Sequence, residues 1–277
     1  MAPWQSGYVQ ANGIRLHYTR TGGAKPPVVL AHGFSDDGLC WTPVARQLEA
    51  EYDVIMFDAR GHGRSDDPEE GYGTDVLAED LAAALRALGL RRPPILGHSM
   101  GAATALALAG AHPDLPGAIL LEDPPASWVE TARPLAGSDE WRARTRAWVV
   151  AFKRKTREEL IAYQRAQEPT WSEDELGPWA DSKLRLSFNV LNRAAPTEQD
   201  WRATLRRITC PALLITGDTE RGALVSPEAA ADFQSLVPGA RVEHIPGAGH
   251  SIRRDQFGRY MEVVRDFLAS VRSAGQE

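Results

Sequence analysis

Cysteine is nearly absent from these 277 residues. Cys40 and Cys210 stand alone, too few for a disulfide framework and without the CxxC or Cys/His spacing that holds a metal. A reducing compartment is therefore the expectation, with a cytoplasmic location. Long hydrophobic runs are missing too. The longest, Gly101 to Ala111, is much shorter than the roughly 20 apolar residues that cross a bilayer. The opening MAPWQSGYVQ has neither the basic nor the apolar region of a secretory leader, so no membrane association is expected. There is no basic excess: 31 Lys and Arg face 37 Asp and Glu, a formal charge of −6, which argues against a nucleic-acid partner. Nor is there an internal repeat, a low-complexity tract or a phosphate-cradling glycine loop. What remains is a chain with 43% hydrophobic residues, enough for one large domain or one domain with a sizeable insertion. Its expected partner is a small-molecule substrate, with the chain acting as a monomer or homodimer.

Short β-rich runs alternate with helical stretches over most of the length. Tyr8 to Ala11 and Ile14 to Arg20 flank Asn12-Gly13, a two-residue hairpin signal. Apolar runs without strand-type alternation follow at Val28 to Ala31, Val54 to Phe57, Ile95 to Leu96, Ala118 to Leu121 and Ala212 to Thr216, with Val242 to Ile245 the last. Such strands are buried on both faces, which requires helices above and below a mostly parallel sheet. Trp41 to Ala50, Asp75 to Leu88, Met100 to Ala111, Pro227 to Leu236 and Gln256 to Val271 supply those helices. The fold class is α/β, a doubly wound and mostly parallel central sheet flanked by helices. The alternation breaks over residues 126–207, read as a helical cap set over a core made of residues 1–125 and 208–277. This cap carries six of the eight tryptophans: Trp128, Trp141, Trp148, Trp171, Trp179 and Trp201. Most of these rings are expected to build the cap's own core. A few, Trp128 and Trp148 foremost, are expected to line an apolar substrate pocket.

The strongest local signal is Gly97-His98-Ser99-Met100-Gly101, placed after an apolar strand and opening an Ala/Leu-rich helix. That context gives G-x-S-x-G its meaning. A strand turning sharply into a helix brings neighbouring chain close, so the positions two before and two after the nucleophile must lack side chains. Ser99 then projects from the sheet's carboxyl edge with a helix N-terminus behind it. A nucleophilic serine also needs an oxyanion site and a base. His32-Gly33-Phe34 follows a strand end and offers the backbone N–H of Phe34 beside that of Met100. Among seven histidines, His250 in Pro246-Gly247-Ala248-Gly249-His250 lies in a glycine-rich loop beyond the last strand and is the expected base. His98, next to the nucleophile, is expected to point away from it, and His32 and His62 to pack in nearby loops.

With H-G-F, D-x-R-G-H-G-x-S, G-H-S-M-G and G-x-G-H in that order, residues 8 to 125 and 205 to 273 resemble the α/β-hydrolase fold superfamily. The resemblance implies a serine hydrolase, with no cofactor and no metal. It also implies a catalytic acid, in the family usually three residues after a glycine at the end of the strand that follows the cap. Here that strand ends Thr216-Gly217-Asp218-Thr219-Glu220, with the aspartate early and the glutamate at the usual offset. In some members the acid comes from the end of the strand before the cap, here Leu121-Glu122-Asp123-Pro124. Asp218 and Glu122 are the leading candidates, with Glu220 and Asp123 behind them. The expected reaction is hydrolysis of a carboxylic ester or lactone with a hydrophobic part, through an acyl-enzyme on Ser99. Alternatives on the same machinery are a carbon–carbon bond hydrolase, a perhydrolase or a hydroxynitrile lyase. From another class comes a hydrolase-like small-molecule receptor without turnover.

Overall fold

A computed structural model describes residues 3–129, 137–193 and 200–274. The chain opens with a hairpin of β1 (Gln5–Ala11) and β2 (Ile14–Arg20). Its Asn12 and Gly13 sit at φ 48° and 81°, the paired positive dihedrals of the tight turn that matches strand twist. Alternating elements follow: β3 (Pro27–Ala31), α1 (Thr42–Leu48), β4 (Asp53–Phe57), α2 (Thr74–Ala87), β5 (Pro94–His98), α3 (Met100–Ala111) and β6 (Ala118–Glu122). Then come α4 (Asp139–Lys153), α5 (Arg157–Gln167), α6 (Glu173–Arg185) and α7 (Trp201–Arg206), before β7 (Ala212–Thr216), α8 (Pro227–Leu236), β8 (Arg241–His244), α9 (Ile252–Asp255) and α10 (Phe257–Ala274).

The eight strands of the described residues join one sheet in the order β1-β2-β4-β3-β5-β6-β7-β8. Both pairings of β2 are antiparallel and the rest are parallel. Strand parity explains the missing alternation in sequence. Val28, Leu30, Val54, Met56, Leu96 and Leu120 face one layer, filled by α1 and α10. Val29, Ile55, Ile95, Ile119 and Leu121 face the other, filled by α2, α3, α7 and α8. Every residue of the central strands thus has an apolar neighbour. The chain winds outward from β3 to β4, then returns across the sheet to β5. The loops leaving β3 and β5 therefore part company and open a crevice at the carboxyl edge, the place where such sheets bind ligands.

Between β6 and β7 the described residues hold helices and no strand. The helices α4, α5 and α6 share two aromatic clusters, one around Val149, Leu186 and Val190 and one around Phe152, Leu160 and Trp179. In contrast, α7 packs on α3 and α8 in the layer beneath the sheet. Among the described residues, no helix is long and apolar enough to cross a membrane.

Candidate active site

Ser99 lies between the last residue of β5 and the first of α3, at φ 50° and ψ −112°. A non-glycine residue pays about 1–3 kcal/mol for such a conformation and keeps it only where its surroundings over-determine it. Here the Ser99 N–H donates to the Glu122 carbonyl at 2.9 Å, and its carbonyl accepts from Ala103 N–H at 2.9 Å. The flanking glycines are a steric necessity. A Cβ at Gly97 would stand 2.5 Å from the Gly101 carbonyl carbon, and one at Gly101 would stand 2.1 Å from the Ala31 oxygen.

The tight elbow aims the hydroxyl at the loop beyond β8. Ser99 Oγ is 3.0 Å from His250 Nε2, and His250 Nδ1 is 2.6 Å from Asp123 Oδ2. The carboxylate accepts the Nδ1 proton, leaving the Nε2 lone pair to accept from the serine. Asp123 is wholly buried and sits one residue past β6 at φ 42°, a left-handed turn that swings its side chain toward the crevice. Its carboxylate also accepts the N–H groups of Leu224 (3.0 and 2.8 Å) and Val225 (3.0 Å). These backbone donors fix its orientation independently of the imidazole.

As the first helical residue, Met100 has an N–H with no intrahelical acceptor. The loop carrying Phe34 runs directly against the nucleophile, since a Cβ at Gly33 would fall 3.4 Å from Ser99 Cβ. Gly33, which precedes Phe34, thus borders Ser99 on one side, and Met100 follows it on the other. The Phe34 ring packs 5.6 Å from that of Trp141, centroid to centroid, joining the cluster of Tyr72, Val149, Leu186, Val190 and Leu191. An apolar wall runs from Phe34 up into the helical insertion.

Both leading acid candidates lie elsewhere. Glu122 is the last residue of β6, and its parity points it with Leu120 into the α10 layer. There its carboxylate accepts from Arg253 N–H at 2.9 Å, the Arg253 guanidinium at 3.2 Å and the Tyr260 hydroxyl at 3.3 Å. Burial pushes this carboxyl above its usual range, against the pull of Arg253. Asp218 supports the histidine loop from beneath without reaching the ring. Its Oδ2 accepts from Gly247 N–H at 2.7 Å, and Oδ1 faces His244 Nε2 at 3.0 Å. Glu220 is exposed in a short turn. Of the four carboxylates, Asp123 alone hydrogen-bonds to His250; Glu122 is held in the sheet, and the residue after it is the first freed to turn toward the ring.

Trp128 is also displaced from its expected place. It is buried against α8, donating from Nε1 to the Ala229 carbonyl at 2.9 Å, its ring 5.4 Å from that of Phe233. That position lies in the layer under the sheet, away from the apolar wall. Trp148 does sit in the insertion, half-buried between its two aromatic clusters and 4.5 Å from the Phe152 ring.

His98 reaches the histidine loop rather than the Ser99 hydroxyl. Its Nε2 donates to the His250 carbonyl at 2.9 Å and its ring lies 4.8 Å from the His250 ring, bracing the histidine loop. Burial, then the charges of Arg253 and His250, hold it well below the usual histidine range, so it is neutral. Burial likewise drives His62 down to about 3, and His32 is lowered for the same reason. For all three buried rings, desolvation disfavours the charged form.

A second hydrogen-bonded chain has the same residue types: Ser6 Oγ lies 2.6 Å from His17 Nε2, and His17 Nδ1 lies 2.9 Å from Asp58. Ser6, however, is in the extended edge strand β1, with neither a strained elbow nor a helix N-terminus behind it. That chain lacks the parts that stabilise an oxyanion. Among the described residues no group of His, Cys, Asp and Glu side chains could hold a metal ion.

Residues 26–253 match the model of the alpha/beta hydrolase fold family. Over 266 residues the chain is 33% identical to N-formylmaleamate deformylase of Pseudomonas putida, covering 95% of this chain and 96% of that one. It is 28% identical over 259 residues to 2-(acetamidomethylene)succinate hydrolase of Mesorhizobium japonicum, covering 90% of each. Among solved structures, N-formylmaleamic acid deformylase from Pseudomonas putida superposes with a TM-score of 0.79 at 27% identity, over 94% of this chain and all of that one. The enol-lactonase from Burkholderia xenovorans superposes with a TM-score of 0.73 at 26% identity, over 95% and 100%. With sheet order, strained serine elbow and family match in agreement over most of its length, the chain belongs to the alpha/beta hydrolase fold family.

Proposed function

We propose that this protein is a serine hydrolase that cleaves a small acyl substrate, a carboxylic ester or lactone, through an acyl-enzyme on Ser99. The observation that carries this reading is the continuous chain Ser99–His250–Asp123, at 3.0 and 2.6 Å. His250 Nε2 takes the serine proton as Oγ attacks the carbonyl, and Asp123 stabilises the imidazolium. The N–H groups of Phe34 and Met100 receive the oxyanion, each worth about 3 kcal/mol to the transition state. His250 then protonates the leaving group, and water, deprotonated by the same ring, releases the acid. The apolar wall of Phe34, Trp141, Val149 and Leu191 suits the hydrophobic part of such a substrate, with the helical insertion acting as its cap.

A second reading, cleavage of an acyl–nitrogen bond, is favoured by the two relatives named for hydrolysis of N-formylmaleamate and 2-(acetamidomethylene)succinate, each aligned over 90% or more of the chain. An amine leaves only once protonated, so this chemistry leans harder on His250 as acid than ester cleavage does. The test is steady-state turnover of p-nitrophenyl acetate, a lactone series and an N-formyl and N-acetyl amide series, with fluorophosphonate labelling of Ser99. Turnover and labelling by the natural chain, with both lost in Ser99→Ala at unchanged melting temperature, support the reading. Folded protein that neither turns over nor labels would sink it and leave a small-molecule receptor.

A further inference from the structure

We propose that Arg253 and Glu122 are positioning residues that lock the three loops of the active site into one register. This inference rests on the relay assigned to Ser99, His250 and Asp123. Each member of the pair adjoins a part of that machinery: Glu122 precedes Asp123, and Arg253 follows His250 by three residues. The third loop is held through Asp36, two residues after Phe34.

Both side chains are 0% exposed. Glu122 binds two ways at once. Its backbone carbonyl accepts the Ser99 N–H at 2.9 Å, while its carboxylate accepts the Arg253 N–H at 2.9 Å and Nη1 at 3.2 Å. Arg253 reaches across with Nη2 to Asp36 at 3.2 Å, and its guanidinium lies over the Trp41 ring at 4.3 Å. Asp36 also receives Arg254 at 3.1 Å and, from α6 in the helical insertion, Lys183 at 2.9 Å. Arg254 in turn pairs with Glu175 of the same helix at 3.0 Å. The cations Lys183, Arg253 and Arg254 balance the anions Asp36, Glu122 and Glu175, so the buried set is neutral.

Such a set is a costly route to stability, because well-packed apolar side chains of similar volume often serve as well or better. What it supplies, and an oily core does not, is angular registry. A planar guanidinium with fixed donor directions accepts one arrangement of the two carboxylates. Here that arrangement fixes the oxyanion loop, the acid and the base relative to the serine elbow. A displacement of about 1 Å in such a constellation can cost about 100-fold in rate.

Of the charged and titratable groups around His250, Asp123 just past β6 and His98 at the end of β5 touch it directly, while Glu122 at the end of β6 and Arg253 in α9 act on it through their charges from the buried layer beside it. Removing either member of the neutral pair uncovers the other's charge, with opposite consequences for the imidazolium. The experiment measures kcat, KM and the pH dependence of kcat/KM for p-nitrophenyl acetate in Glu122→Gln, Arg253→Met and Arg253→Lys, with melting temperatures. In Glu122→Gln the uncovered Arg253 makes the imidazolium harder to form and the acid limb moves to lower pH. In Arg253→Met it moves to higher pH. Each displacement should be about half a unit, with kcat lowered roughly 10-fold or more and KM nearly constant. Arg253→Lys keeps the charge but cannot bridge both carboxylates, so kcat falls while the limb stays. Should Arg253→Met not fold, the lysine and glutamine variants decide alone. Wild-type kcat in folded variants, or limbs moving in the same direction, overturns the proposal. Activity surviving in Ser99→Ala overturns the relay itself, a separate failure.

Discussion

Replacing Asp123 with asparagine should cost far more activity than stability. The side chain keeps its size, and its Oδ1 can still accept from the Leu224 and Val225 N–H groups that now lie 3.0 Å away. Its NH₂ must then face His250. Where a carboxylate oxygen now accepts the Nδ1 proton at 2.6 Å, two donors would meet. The imidazole answers by moving its proton to Nε2, and a protonated Nε2 cannot take the proton of Ser99 3.0 Å away. Flipping the amide offers no escape, since it would turn the NH₂ onto two backbone donors. A wrong tautomer in a serine relay costs about 10⁴-fold in kcat, or about 5.4 kcal/mol at 1.36 kcal/mol per decade. The assay is steady-state hydrolysis of p-nitrophenyl acetate beside thermal unfolding, with Asp218→Asn as the comparison. The Asp218 side chain meets the backbone of the histidine loop and His244, so its variant should lose less than about 10-fold, the effect of modest misplacement. If Asp123→Asn retains a tenth of wild-type kcat, or if Asp218→Asn is the one to collapse, the placement of the acid is wrong.

Two further outcomes are expected. Trp128→Ala removes a ring that is 1% exposed and hydrogen-bonded to α8, so urea unfolding should show a loss of about 3–5 kcal/mol. Activity per folded molecule should hold, whereas a raised KM without destabilisation would return the ring to the substrate wall. Asp37 is pushed up to about 7 by burial and then by Asp58, against the pull of Arg185. The folded state therefore holds this proton more tightly than the unfolded chain, whose carboxyl titrates near 3.9. The resulting stabilisation is complete below about pH 4 and fades as pH rises toward 7. Asp37→Asn should gain melting temperature relative to wild type between pH 5 and 8, and a difference that stays flat across that range would refute the shift.

What can be read from the sequence is what short-range sterics and binary pattern encode. Unalternating apolar runs at β3 to β7 announce a sheet covered on both faces. Gly97 and Gly101 announce the elbow, because backbone atoms of Gly101 and Ala31 would lie only 2.1–2.5 Å from a Cβ at either position. His250 is legible from its glycine loop beyond the last strand. The identity of the acid is not. Glu122 and Asp123 are neighbours of the same chemical type, and only strand parity plus one left-handed turn at φ 42° sends the first into the α10 layer and the second to the imidazole. Trp128 escapes the sequence for a related reason: its ring follows the packing of α8 under the sheet, which no local pattern of tryptophans reveals. Local backbone geometry can be written in a few adjacent residues. Which carboxylate meets which ring, and which charges share a buried site, depends on side-chain directions at loop ends that are more than a hundred residues apart in the chain, and only the packed fold sets those.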